Sequence, residues 1–471
     1  MGNNAQKKNK KNFQMPSALV LLVIIILISA IATYFVPAGE FDRIEDPNTG
    51  RMVVDPDSFH HVDQNPIGFL DLFLSVPMGM QESASIIFFL LIIGGTFKVM
   101  QATGAIDIGM GSIVKKMAGK EILIIPVVMI IFSIAGATIG TSEETLAFIP
   151  LMVSICVAMG FDSITGTAIL LLGAGAGFAG ALTNAFTIGV AQGVSGLPLF
   201  SGIEYRFIIY LTLVIITIIY VFLYARKIKK NPTLSSMHEE DKNLSLNVDL
   251  ENLPDFTTRH KLVLLTFALG IAALVYGVIE LDFYIDELSA IFLVVALVSG
   301  VIGGMRAEKI ADEFVKGAGE LLYAALVIGF SRATTVVLTN ANVMDTIINA
   351  MAGALNRLPA VVSAVGMFVV QSLFNILVPS GSGSAAVTMP IMAPLADMIG
   401  VTRQTAVLAY QFGDAFMNVI SPTTGYFMAA LAMSKISYSK WVKWFLPLFV
   451  IWCLVAVVFL IIAVQINFGP F

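Results

Sequence analysis

Seven segments of the chain are apolar for roughly 20 residues each, and this feature decides what the chain can fold into. The segments are residues 17–36, 83–102, 205–224, 261–280, 289–304, 321–339 and 441–464. An α-helix rises about 1.5 Å per residue, so about 20 apolar residues cross the roughly 30 Å hydrocarbon core of a bilayer. With 57% hydrophobic and 13% charged residues, the sequence excludes a soluble protein with one ordinary core and predicts a polytopic membrane protein.

Basic residues orient these spans. Four lysines in the tail 1–16 precede the first apolar segment, so the positive-inside rule assigns the N-terminus to the cytoplasm. The basic run R-K-I-K-K opens a polar stretch, residues 226–260, that has the composition of a cytoplasmic linker. We therefore expect a multi-pass protein of the cytoplasmic (plasma) membrane, with its N-terminus inside and its C-terminus outside.

Two further apolar stretches fit this orientation only if each enters and leaves the membrane on one side. Residues 121–159 form an expected cytoplasmic-side hairpin, and residues 359–400 form an expected external-side hairpin. Their tips read I-G-T-S-E-E-T at 139–145 and P-S-G-S-G-S-A at 379–385. Irregular backbone at membrane depth needs protein or a water-filled cavity around its polar groups, so the two tips predict a cavity.

The two hairpins align without gaps at a shift of 240 residues, which superposes Ser142 on Ser382 and Pro150 on Pro390. Each hairpin precedes a long apolar segment that small and polar residues interrupt, at 173–184 and at 413–425. Residues 17–225 and 261–471 are thus two predicted repeats. The extra span 289–304 inverts the second repeat, and inverted repeats with broken helices are typical of secondary transporters.

The predicted fold is an all-α polytopic membrane protein. It has about nine transmembrane helices, two opposed re-entrant hairpins and two broken helices.

The tip sequences also carry a family resemblance. The run S-G-S-G-S-A-A-V-T-M-P-I-M-A-P at 380–394 and its continuation to Asp414, together with G-T-S-E-E-T-L-A-F-I-P at 140–150, resemble the YfcC-type branch of the anaerobic C4-dicarboxylate carrier (DcuC-like) family. The resemblance covers both halves of the chain. It implies a fold of the ion-transporter superfamily, a homodimer, and alternating access by an elevator mechanism.

The predicted substrate-binding residues are the polar groups at the two tips and the two helix breaks, together with the acidic residues beside them. They are Thr141, Ser142, Glu143, Glu144, Asn184, Ser380, Gly381, Ser382, Gly383, Ser384, Asp414, Thr423 and Thr424. Hydroxyls and freed backbone N–H groups at the start of a half-helix suit a substrate carboxylate. The competing interpretation is that small residues only let helices approach closely.

Three carboxylates in apolar surroundings are the sharpest anomaly. A carboxylate inside a bilayer is costly unless it is paired, hydrated or protonated, so Glu143, Glu144 and Asp414 are functional candidates. The alternative for the glutamates is a tip that reaches cytoplasmic water. For Asp414 the alternative is a structural salt bridge, with Arg332 as a possible partner.

The acidic balance of this expected cage favours an amino acid over a dicarboxylate as the substrate. The resemblance implies arginine/ornithine-type exchange, so we expect a secondary active transporter, most specifically a basic amino-acid antiporter. The alternative is a C4-dicarboxylate carrier coupled to Na⁺ or H⁺, which would need Arg332 or Arg403 to line the cage. A coupling ion, if there is one, would use Ser142, Thr183, Asn184, Ser382 and Thr423.

The sequence contains no H-E-x-x-H, G-x-S-x-G or P-loop motif, so we expect no enzyme activity and no ATP hydrolysis. A channel is a further alternative, but two hairpins that enter from opposite faces argue against an open pore. We expect no cofactor and no bound metal. The expected partners are a small-molecule substrate and the lipid bilayer, and not nucleic acid.

Overall fold

The structure is a computed structural model. It describes residues 18–45, 52–55, 57–106, 108, 109, 112, 119–245, 256–281, 283, 285–355 and 358–469. The predicted cytoplasmic tail 1–16 and residues 246–255 of the predicted linker lie outside the described residues.

The described part of the first half contains eight α-helices and four short strands. The helices are α1 (Ala18–Ala32), α2 (Phe69–Glu82), α3 (Ala84–Ala102), α4 (Ile124–Thr138), α5 (Ile149–Ala158), α6 (Ser163–Gly180), α7 (Val190–Val194) and α8 (Ile203–Lys230). A π-helical turn, Ala185–Gly189, leads into α7. The strands are β1 (Gly39–Glu40), β2 (Arg43–Glu45), β3 (Met52–Val54) and β4 (His60–His61).

The strands make the all-α prediction incomplete. They form two antiparallel pairs, β1 with β4 and β2 with β3, in the loop between α1 and α2. The predicted cytoplasmic N-terminus would place this loop outside, and we call it the external loop. The loop is tied to the second half by Arg43, whose Nη1 lies 2.8 Å from Asp345 Oδ2. The same carboxylate oxygen accepts the N–H of Phe41 at 3.0 Å. The loop is therefore ordered because a buried aspartate from the other half of the chain satisfies its polar groups.

The described residues after α8 form one further α-helix in the predicted linker and ten α-helices of the second half. They are α9 (His238–Ser245), α10 (Thr258–Glu280), α11 (Ile285–Ile302), α12 (Ala307–Glu320), α13 (Leu322–Asn340), α14 (Met344–Leu355), α15 (Ala360–Leu377), α16 (Gly381–Met398), α17 (Arg403–Met417), α18 (Gly425–Met433) and α19 (Tyr438–Gln465).

Eight helices among the described residues are long and apolar enough to cross a membrane. The chain is therefore a multi-pass membrane protein. Two of the eight, ending in Thr138 and Leu377, are the first arms of the predicted hairpins. The count of nine crossings, which treats these arms as re-entrant, stays a prediction.

Helix lengths recur between the two halves. α2 and α12 each have 14 residues, and α3 and α13 each have 19; the second member of each pair begins 238 residues after the first. The helices that follow the hairpins, α6 and α17, begin at Ser163 and Arg403, at the predicted shift of 240. Both have a capping side chain, because Asp162 and Thr402 accept the N–H of the third residue that follows each.

Each short helix of one half crosses the long helix of the other half at glycines. A Cβ atom added to Gly79 of α2 would lie 2.6 Å from the carbonyl oxygen of Gly329 on α13. A Cβ atom added to Gly317 of α12 would collide with the carbonyl oxygen of Gly94 on α3. Small residues at membrane helix crossings let two backbones approach closely. The two halves are thus interlocked by a matching pair of crossings.

The glycine-rich run 173–180, predicted to interrupt its segment, is helical. It belongs to α6, all of whose residues are buried, and a Cβ at Gly177 would collide with the carbonyl oxygen of Ser133 on α4. The interruption comes later, at Ala181, whose φ of 42° is left-handed. Glycine therefore serves close helix packing here, and the polar residues after it break the helix.

The predicted linker is partly structured. Its first residues, 226–230, complete α8, and the following segment packs on the start of α6. Ser235 donates to Asp162 at 2.6 Å, and Asp241 of α9 accepts the N–H of Ser163 at 2.9 Å. Lys440 of α19 lies 2.5 Å from Glu240. Polar contacts hold this segment in place. Hydrophobic periodicity does not detect contacts of this kind.

Replacing Gly177 by alanine should lower the free energy of unfolding by about 1–3 kcal/mol, because the new methyl group has no space between α4 and α6. The measurement is the unfolding of detergent-purified protein, followed by tryptophan fluorescence. Gly353→Ala on α14 is the matched control, since no atom lies within 4 Å of its Cβ position. Equal stability of the two variants would contradict the close packing.

Candidate functional site

The first hairpin turns at a glycine next to a helix break. α4 ends at Thr138, Gly140 has a φ of +82°, and a 3₁₀ turn, Glu143–Phe148, leads into α5. A Cβ atom at Gly140 would lie 2.5 Å from Asn184 Oδ1. Glycine is needed here for both the backbone angle and the close approach. The tip therefore contacts the break between α6 and α7.

The second hairpin turns over only three residues, 378–380. Ser380 caps α16, with its Oγ accepting the N–H of Gly383 at 3.3 Å, and Ser384 donates to the carbonyl oxygen of Val378 at 3.0 Å. The tip was predicted to be irregular over 379–385. Residues 381–384 instead form the first helical turn, because Ser380 accepts the N–H groups of Gly383 and Ser384.

The two breaks in the long segments lie beside these tips. Asn184 is buried, and its Oδ1 accepts the N–H groups of Phe186 at 2.9 Å and Thr187 at 3.3 Å. In the second break, Thr423 Oγ1 lies 2.6 Å from Ser421 Oγ, and the carbonyl oxygen of Thr423 accepts the hydroxyl of Ser331 on α13. Side chains thus replace the helical hydrogen bonds that the breaks remove.

A cavity of about 290 Å³ lies where the tips and the second break meet the end of α2 and the middle of α13. Eight predicted site residues line it: Ser142, Glu143, Glu144, Ser380, Gly381, Ser382, Thr423 and Thr424. Sequence reasoning missed several lining residues that carry polar groups, among them Glu82, Ser83, Thr187, Ser331 and Tyr426. Arg332 also lines the cavity, as the dicarboxylate-carrier alternative required of Arg332 or Arg403.

The other predicted residues lie around the cavity and not on its wall. Thr141 faces a small adjoining space that Ser142 and Tyr426 also line. Gly383 and Ser384 lie within the first turn of α16.

The five residues predicted for a coupling ion do not converge on one point. Ser142, Ser382 and Thr423 line the cavity, whereas Asn184 caps the turn that follows it. Thr183 is exposed, with its hydroxyl 3.4 Å from the carbonyl oxygen of Thr138. Among the described residues, no group of three or more histidine, cysteine, aspartate or glutamate side chains is arranged to hold a metal ion.

Asp414 is buried beneath the second tip, and amides hold both of its oxygens. Asn375 Nδ2 donates to Oδ1 at 2.6 Å, and Asn418 Nδ2 donates to Oδ2 at 3.2 Å. A Cβ atom at Gly381 would lie 3.4 Å from Oδ2. Asp414 therefore links the arm α15 to the second break, directly under the start of α16.

The alternative interpretation, in which Asp414 forms a salt bridge with Arg332, is wrong. Arg332 Nε instead donates to Glu82 Oε2 at 2.7 Å. The other arginine that was considered, Arg403, pairs with Asp397 at 2.7 Å and lines a different cavity. An arginine within an apolar span indicates a special role for Arg332. The sequence does not indicate its partner, because Glu82 lies on a helix 250 residues earlier in the chain.

The charged groups on the wall are three carboxylates and one guanidinium. Glu82 and Arg332 pair with each other, so Glu143 and Glu144 lack a cationic partner in the described structure. Glu144 Oε2 accepts the N–H of Ser142 at 3.0 Å, which fixes it against the tip. Both glutamates are partly buried. Such a wall can attract a cationic group and hold it by charge-assisted hydrogen bonds.

Nearly the whole chain matches one transporter family. The DcuC family, described as C4-dicarboxylate anaerobic carrier, matches residues 15–465. The chain belongs to this family and is a membrane transporter, not an enzyme. The residues quoted for the family resemblance lie within the matched region, so the resemblance is confirmed.

Two bacterial relatives extend the likeness over almost the full length. YfcC of Escherichia coli (strain K12), which is provisionally named a basic amino acid antiporter, is 35% identical over 93% of this chain and 94% of its own length. An uncharacterized protein of Haemophilus influenzae is 28% identical over 98% of both chains.

Two solved transporter structures match with low scores. The YdaH transporter of Alcanivorax borkumensis is 18% identical with a TM-score of 0.41, over 97% of this chain and 100% of that one. MtrF of Neisseria gonorrhoeae is also 18% identical, with a TM-score of 0.43 over 96% and 95%.

Asp414→Asn should lower the free energy of unfolding by about 1–3 kcal/mol, because two amide donors lose a charged acceptor in a buried position. Thermal unfolding in detergent measures the change. Asp312→Asn, at an exposed position on α12, serves as the control. If Asp414→Asn were as stable as this control, Asp414 would not tie α15 to the second break.

Proposed function

We propose that this chain is a secondary antiporter that exchanges basic amino acids of the arginine and ornithine type across the cytoplasmic membrane. The observation that carries the proposal is the charge of the cavity wall. Glu143 and Glu144 face the cavity without a cationic partner among the described residues, while the one lining arginine is paired with Glu82. An empty site with this surplus of negative charge favours a ligand that brings positive charge.

The two ends of a basic amino acid fit different parts of the wall. Its guanidinium or amino group would pair with Glu143 and Glu144. Its carboxylate would meet the start of α16, where the N–H groups of Gly381 and Ser382 lie in the first turn and have no partner among the described residues. The hydroxyl of Ser382 adds a further donor on the same wall. The name given to YfcC supports the same substrate class.

In this proposal, the two repeats are the basis of alternating access. The two repeats, 17–225 and 261–471, would have opposite orientations in the membrane. The hairpins, broken helices and their partners α8 and α19 would move as one body against a scaffold that contains α2, α3, α12 and α13. This is the elevator mechanism that the resemblance implies, and a homodimer of scaffolds remains part of the same proposal.

A second candidate function is a C4-dicarboxylate carrier coupled to Na⁺ or H⁺. Arg332 favours it, since this guanidinium lines the cavity and would pair with a carboxylate. The family description points to the same substrates. Against it, Arg332 already donates to Glu82, and a dianion would have to approach two further glutamates.

Counterflow in proteoliposomes separates the two candidates. Vesicles loaded with unlabelled ornithine should accumulate trace labelled arginine, because exchange needs an internal counter-substrate. Vesicles loaded with succinate should accumulate neither labelled arginine nor labelled succinate. Accumulation of succinate alone would establish the dicarboxylate carrier and overturn the proposal.

Glu143→Gln and Glu144→Gln should each reduce the apparent affinity for arginine by about tenfold or more, which corresponds to about 1.4 kcal/mol of lost charge-assisted bonding. The initial rate of arginine–ornithine exchange at varied arginine concentration measures this. Glu204→Gln, at an exposed position at the start of α8, is the control. Unchanged affinity in both cavity variants would refute the acidic site.

A further inference from the structure

Each half carries an ion pair whose glutamate lies at a position corresponding to that of the glutamate in the other half. α2 and α12 have the same length, and both end in glutamate, Glu82 and Glu320. Glu82 pairs with Arg332 on α13 at 2.7 Å, and Glu320 pairs with Lys98 on α3 at 2.6 Å. In each case a short helix of one half offers a carboxylate to a cation on the long helix of the other half.

The surroundings of the two pairs also correspond. Each glutamate lies three residues after the glycine at which its helix crosses the partner helix, Gly79 in α2 and Gly317 in α12. In both, the residue after the glutamate starts the turn into the next long helix. The crossings fix where the carboxylates lie, so the two glutamates occupy equivalent positions in the two halves. Their cations differ in position: at the 238-residue shift Arg332 corresponds to Gly94, about one helical turn before Lys98.

Only one of these pairs now faces the site. Glu82 and Arg332 line the cavity, whereas Lys98 and Glu320 do not. The second break is joined to α13 by the hydrogen bond from Ser331 to the carbonyl oxygen of Thr423. The position in α3 that corresponds to Ser331, at the 238-residue shift, is Ile93, which has no side-chain donor. The two glutamates are thus at corresponding positions, but only the pair that contains Glu82 lines the cavity beside the tips.

We propose that Lys98 and Glu320 form a second substrate-facing site, which completes the cavity when the tips face α3 and α12 instead of α2 and α13. This inference rests on the alternating access that is part of the proposed function. It adds the residues that line the cavity in the opposite-facing state. Lys98 lies in the apolar helix α3, where a cation is costly unless it is paired or hydrated, and its partner Glu320 ends the polar helix α12. Such a cation is expected where it lines a water-filled substrate path.

Kinetics on each face of oriented proteoliposomes test the proposal. Glu320→Gln should raise the KM for arginine about fivefold to tenfold on one face only, and Glu82→Gln should raise it on the opposite face only. Glu313→Gln is the matched control: it is the same substitution on the same helix, at a residue paired with Lys316 at 2.9 Å. A Glu320→Gln effect that is absent, or on the same face as that of Glu82→Gln, would leave Lys98–Glu320 an interfacial ion pair only.

Cysteine cross-linking tests whether the two pairs of residues come close together, and the cross-link itself can be detected without a known substrate. In a Cys156→Ala, Cys453→Ala background, Glu82→Cys with Ser382→Cys joins two residues that now line one cavity. The corresponding pair in the other state is Glu320→Cys with Ser142→Cys. A short bifunctional thiol reagent should join both pairs in membranes, and each cross-link should abolish exchange.

Cross-linking of the first pair without the second would overturn the second site. The outcomes also separate the two proposals. If arginine showed no counterflow but both pairs cross-linked, the substrate assignment would fail and the second site would stand. If arginine exchanged and the second pair never cross-linked, only the second site would fail.

Discussion

The constraint on which the rest of the structure depends is that a backbone surrounded by hydrocarbon must satisfy its own polar groups. The chain interrupts its helices at four places near the site, and in each case nearby side chains take over the lost bonds. Ser380 and Asn184 accept the N–H groups of the turns that follow them. Asp414 collects two amides beneath the second tip. The breaks are tolerated because they lie next to one another. Their polar groups together line a polar cavity inside an apolar molecule.

Close helix packing makes this proximity possible. Glycines at 136, 177, 79 and 317 bring helix backbones together so closely that a methyl group at any of them would strike a neighbouring backbone. The packing holds α6, with every residue buried, at the centre of the first repeat. Because α6 is fully enclosed, it holds the break between α6 and α7 in place. The tip of the first hairpin contacts this break and is therefore held in place as well.

Much of this arrangement could be predicted from local sequence, because hairpin tips and helix breaks leave local signals. Glycine, serine and acidic residues within apolar stretches indicated both tips, and eight of the expected residues line the cavity. The wall contributed by Glu82 could not be predicted in the same way. α2 is short, contains Pro77 and follows a polar loop, so its sequence looks like loop, and its pairing with Arg332 depends on a crossing between distant helices. The extent of the second tip was overestimated, since whether serine loosens or caps a helix depends on the geometry around it. The ordered strands of the external loop depend on Asp345, which no local pattern connects to Arg43.

The interlocked crossings have a consequence for how the protein is made. Glu82 leaves the ribosome 250 residues before Arg332, the residue that neutralises it. During that interval the first half has a carboxylate at the end of a short helix and glycine-lined grooves on α2 and α3 that nothing yet fills. The first half therefore cannot reach its final packing alone. Its crossings with α12 and α13 form only after those helices have been synthesised, so the two halves complete their packing together.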